Sequence, residues 1–129
     1  MYLTKSTRIF MVVIATLATL ITTLPASAGS GNFRGINNHA ASGGVSVEKR
    51  GDTYVIILGK SFKFDGAPDP RIAFGKDGVF AENTDFKPLK SNNGRQEYLV
   101  PKTIDASKFN EVHIWCRKYS VGLAIAGLN

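Results

Sequence analysis

The sequence predicts an all-β fold: a β-sandwich or open barrel of about seven or eight short antiparallel strands. Three observations lead there. Short β-prone runs are punctuated by Gly, Asn and Asp throughout the region after residue 28. No stretch of that region spaces its apolar residues as an amphipathic helix does. Finally, Val45 to Lys49 alternates apolar with polar residues, as a half-buried strand should.

The first 28 residues read as a signal peptide. Lys5 and Arg8 make a positive start, and Ile9 to Leu24 is an uncharged, mostly apolar run of 16 residues. Pro25 breaks it, and Ala26-Ser27-Ala28 offers small residues for cleavage after Ala28. A spanning helix needs about 20 apolar residues, so no membrane span is expected after cleavage. The expected organisation is a signal peptide over 1–28 and one β domain over 29–129. Export to the periplasm, cell surface or extracellular space follows.

Within the domain, Phe33 sits in a short run expected to form an edge strand, and 35–44 reads as a polar connection containing His39. Arg50-Gly51-Asp52 suits a tight hairpin turn, because Gly51 accepts a positive φ. Tyr54 to Leu58 is apolar on both faces, which predicts a central strand. Phe62 and Phe64 alternate with Lys63. Pro68 and Pro70 mark a loop, since proline cannot donate to a paired ladder. Arg71 to Gly75 resumes as a strand, Asp77-Gly78 turns, and 79–88 reads as irregular. Asn92-Asn93-Gly94 turns again, and Gln96 to Val100 is strand-like. Asp105 is placed to cap one helical turn. Glu111 to Cys116 and Tyr119 to Ala126 complete the set.

Strand side chains alternate faces, so Val112, Ile114 and Cys116 share one side and His113, Trp115 and Arg117 the other. The first set is apolar and predicts the core face. Continued in register, that parity inverts over Val121, Leu123 and Ile125. A bulge, bend or turn is therefore expected between Arg117 and Ser120.

Charge excludes some functions. The chain carries +6, and removing Lys5 and Arg8 leaves 14 basic against 10 acidic residues, a net +4. No basic run exceeds two residues, which gives nucleic-acid binding no support. A soluble basic surface, or adhesion to an anionic envelope polymer, accounts for the balance. No metal site is expected, because His113 and Cys116 point to opposite faces of one strand. No serine-based triad is visible, and Asp65 and Asp69 flank a proline loop where carboxylates serve turns.

Cys116 is the single cysteine, an unusual count for an exported protein. It is a buried small hydrophobe, a redox thiol or half of an intermolecular bridge. His39 is a candidate neighbour for a reactive thiol, by default a polar loop residue. Trp115 is a covering aromatic, a stacking surface or a lid.

Val112-His113-Ile114-Trp115-Cys116, followed by Tyr119-Ser120-Val121 and Gly122-Leu123-Ala124, resembles the signature of the DM-thirteen domain of Skeletor-like proteins. Phe33 with His39 and Ser42-Gly43, Phe64 before Gly66-Ala67-Pro68-Asp69, and Gly94-Gln96-Tyr98 before Pro101 fall in the same order. The resemblance implies an all-β extracellular module of electron-transfer type, more an accessory than an enzyme by itself. It implies Cys116 as a redox thiol or haem ligand, with Trp115 and His39 supporting it and a separate redox partner protein. The sequence lacks Cys-x-x-Cys-His, so a haem could bind only by axial ligation. The competing reading is a non-catalytic cell-envelope binding or adhesion module in which Cys116 is structural.

Overall fold

The computed structural model describes residues 9–21 and 26–129. Residues 1–8 and 22–25, which hold part of the expected signal peptide, lie outside the described residues. The strands follow in order: β1 (Ala26–Gly35), β2 (Ala41–Ser42), β3 (Gly44–Arg50), β4 (Thr53–Leu58), β5 (Lys63–Phe64) and β6 (Pro70–Lys76). Then come β7 (Val79–Phe80), β8 (Lys87–Pro88), β9 (Gln96–Leu99), a 3-10 turn (Ala106–Lys108), β10 (Glu111–Cys116) and β11 (Val121–Gly127).

One antiparallel sheet runs β7-β6-β10-β11-β1-β3-β4-β9, with β8 also paired to β6 and a separate β2-β5 ribbon. The sheet curls into a half-barrel. Its curl is made by β1, which pairs with β3 from Ala26 to Asn32 and with β11 from Phe33 to Gly35. Side chains from both halves meet in one core. Val47, Ile56, Leu58 and Tyr98 come from one side, and Ile72, Phe74, Val112 and Ile114 from the other.

β1 is therefore central, not the edge strand expected around Phe33. The glycines that make this segment look like a poor strand are what let it sit there. A Cβ on Gly31 would lie 1.9 Å from the Gly127 carbonyl oxygen, and one on Gly35 would lie 1.8 Å from that of His39. Backbone this close leaves no room for a side chain.

The expected turn between Arg117 and Ser120 is present, and Ser120 adopts a left-handed φ of 48°. A second device completes the change of parity. The β10–β11 register shifts between Ile114 and Trp115, so Ile114 faces Ala124 while Trp115 faces Gly122, and Leu123 bulges. Val121, Leu123, Ala124 and Ala126 can thus all serve the core. The segment 79–88, expected to be irregular, contributes β7 and β8. It is pinned by Thr84, whose buried hydroxyl accepts from Phe74 N at 3.0 Å. Asp105 caps the 3-10 turn as expected, accepting from Ser107 N at 3.1 Å.

Candidate functional site

Trp115 and Cys116 are consecutive on β10 and therefore face opposite sides of the sheet. Cys116 points inward. It is 1% exposed, belongs to the core cluster, and lies beside Val121 and Pro70 at the last ladder position of its strand. Trp115 points outward and is partly exposed. Its indole stacks on Phe80 of β7, with ring centroids 3.8 Å apart and planes 3° from parallel.

His39 occupies a separate corner. The 35–44 connection is tightly folded there: Asn37 and Asn38 both adopt positive φ, and Ile36 N donates to Leu123 O at 3.0 Å. His39 Nδ1 lies 2.9 Å from Asp65 Oδ1, and the imidazole stacks over Phe64. Asp65 Oδ2 also accepts from Ala40 N at 2.9 Å. The Ala40 amide first, then His39, hold the Asp65 carboxyl below its ordinary range. Asp69, by contrast, pairs with Arg71 Nε at 2.8 Å. Among the described residues no hydrogen bond joins Cys116 to His39 or Trp115.

A further pair escaped sequence reasoning. Glu111 and His113, two apart on β10, share the outer face, and His113 Nε2 lies 3.1 Å from Glu111 Oε1. Glu111 Oε1 also accepts from Gly78 N at 2.8 Å, tying the β6–β7 turn to β10. His113 is 2% exposed, and its ring fills the space that a side chain on Gly75 would need. The i, i+2 spacing was the available signal, because on a strand it puts two residues side by side on one face.

Burial pushes the His113 pKa below its ordinary 6.5, Glu111 opposes that, and Arg34 adds to it. A histidine held neutral in the fold binds fewer protons than in the unfolded chain. Its contribution to stability is complete above pH 6.5 and is lost as pH falls from there towards the depressed folded value. Urea midpoints should accordingly drop between pH 7.5 and 5.5, with a slope of at most about 1.4 kcal/mol per pH unit from this group. The variant His113→Asn should flatten the drop; an unchanged slope would show that another group carries it.

Haem fails the fit at Cys116. An axial thiolate must face a slot wide enough for a flat macrocycle, whereas this sulfur faces packed side chains. Cys116 does not line the clefts beside Phe64, Pro101, Trp115 or Asn93. Among the described residues no three His, Cys, Asp or Glu side chains converge as a metal site. No helix of the described residues is long and apolar enough to cross a membrane.

Neither curated proteins nor solved structures return a match to this chain. A scan against protein-family models matches "Electron transfer DM13" over residues 32–128, which takes in β10, β11 and the Trp115–Cys116 pair. Three-quarters of the sequence is covered by that match, and the chain belongs to the electron transfer DM13 family.

Proposed function

We propose that the chain is an exported electron-transfer accessory that exchanges electrons with a separate partner protein through the thiol of Cys116. The observation that carries this reading is the family match across residues 32–128. Despite its burial, the place of Cys116 at a strand end supports this reading. It is the last residue of β10, followed directly by the 117–120 turn, and its ladder neighbour Pro70 has no N–H to donate. Strand ends open locally at far lower cost than the whole fold. Once exposed, the thiolate would attack a partner's disulfide, forming a mixed disulfide and releasing the partner's second sulfur as thiolate.

Export has its own support. The described apolar residues of 9–21 belong to no strand or helix and are exposed, Leu20 at 94%. The β1–β3 register is irregular between Ser27 and Gly29, at the expected cleavage point. A chain starting at Gly29 keeps every pair from Gly29–Val47 to Asn32–Gly44.

A second reading is favoured by one observation, the 1% exposure of Cys116 among core side chains. In it the cysteine is structural and the domain is a non-catalytic binding or adhesion module of the cell envelope, its basic surface meeting an anionic polymer.

Thiol labelling of the exported protein separates the two. Its intact mass should correspond to a chain beginning at Gly29. Under the first reading Cys116 reacts with a small disulfide reagent in native buffer, faster than the protein unfolds globally. Reaction only at urea concentrations that unfold the protein would sink the redox reading and leave the binding module.

A further inference from the structure

The outer face of the Trp115 strand carries a feature that electron exchange through Cys116 does not use. An open cleft of about 710 Å³ is walled by the Phe80–Trp115 stack and rimmed by Glu82, Asn83, Arg117 and Ser120. The wall is aromatic and partly exposed. The rim is polar, and its groups are unequally committed. Arg117 is spent on Asp85, donating from Nε to Oδ2 at 2.7 Å and from Nη2 to the backbone oxygen. Glu82, Asn83 and Ser120 are exposed, and among the described residues their side chains make no hydrogen bond.

Two of these three residues also hold unusual backbone. Asn83 has a φ of 63° and Ser120 a φ of 48°, a region that side-chain-bearing residues enter at a cost. Glycine would adopt either conformation freely. Retaining an amide and a hydroxyl at those places puts hydrogen-bonding groups on the rim of an aromatic cleft, and such strain tends to gather at functional sites.

From this arrangement we infer that the cleft binds a neutral glycan, one pyranose ring lying on the aromatic wall. A pyranose has an apolar C–H face and a girdle of hydroxyls. The Trp115–Phe80 wall suits the first, since aromatic side chains combine large apolar area with rigid geometry. The Glu82 carboxylate, the Asn83 amide and the Ser120 hydroxyl suit the second, supplying both acceptors and donors. A phosphorylated or otherwise anionic ligand fits poorly: the rim's cation is already paired, and Glu82 and Asp85 would repel it. The shallow, open shape accommodates a unit within a chain as readily as a free end.

Trp115 is the protein's single tryptophan, so its emission reports on this cleft directly. The purified protein would be titrated with three neutral oligosaccharides: cellotetraose, maltotetraose and the β-linked tetramer of N-acetylglucosamine. At least one should produce a saturable change in emission. The double variant Asn83→Gly/Ser120→Gly keeps the left-handed backbone and removes only the side chains. It should retain cooperative unfolding yet bind that sugar at least about tenfold more weakly. Emission that none of the three sugars moves, or a titration that the double variant reproduces unchanged, overturns the inference.

Discussion

Replacing Gly43 with alanine should destabilise the domain by on the order of 3 kcal/mol, a large part of the stability of a domain this size. Gly43 has a φ of 95°, where an alanine is strained whatever the surrounding space. Space is lacking too. The added Cβ would lie 2.5 Å from the Phe62 Cα and N and from the Ser61 carbonyl carbon, all backbone atoms without a rotamer to escape into. Gly43 O also accepts from Phe33 N at 2.9 Å, so the residue cannot back away without breaking a ladder-like bond to β1. The close approach seats the fully buried Phe62 ring 5.4 Å from that of Phe33. Equilibrium urea unfolding checks this, and a loss below about 1 kcal/mol would mean that the 61–62 segment yields more easily than its packing implies.

Phe74→Ala should cost about 3–5 kcal/mol, the range for emptying a phenylalanine site in a packed core. Phe74 is fully buried on β6, opposite Val112, with its ring stacked at 5.4 Å from Phe109 and 6.3 Å from Phe86. Those two rings lie on the segments flanking β8 and β10, so the cavity would loosen three elements at once. Phe74→Leu keeps much of the volume and should lose less than half as much. Equal losses for the two variants would indicate that ring stacking, and not filled volume, holds this region. The comparison uses the same urea series.

Local pattern carried a good share of the fold. The alternation at Val45–Lys49, the apolar run at Tyr54–Leu58 and the Asp105 cap each depend on neighbours in sequence, and each appears as expected. β4 lies between β3 and β9, with Ile56 and Leu58 fully buried. The inward set Val112, Ile114 and Cys116 was readable from parity alone, and all three are buried. What escaped was decided by distant partners. β1 is central because Gly31 and Gly35 admit the backbones of Gly127 and His39, and nothing near either glycine announces that. The Leu123 bulge is a property of two strands in register, so one strand read by itself showed only that its parity must change.

The site divides the same way. Sequence singled out Trp115, Cys116 and His39, but adjacency along a strand separates the first two across the sheet. His39 acquires Asp65 as its partner through the folding of the 35–44 and 62–66 segments against each other. Phe80, which completes the Trp115 wall, sits in a stretch with no clear periodicity. Its role depends on β7 lining up along β6, where Gly75 faces Phe80.

A sheet that curls without closing leaves two free margins, each a template on which a strand from another molecule could add. Here both are poor templates. At one margin β9 is four residues long, displays Glu97 gripped by Arg50 and Arg95, and runs into Pro101. At the other, β7 and β8 are two residues each, and Pro88 lacks the amide that such growth would need. Stopping short of a full barrel therefore leaves two borders that short strands, paired charges and a proline guard against strand addition.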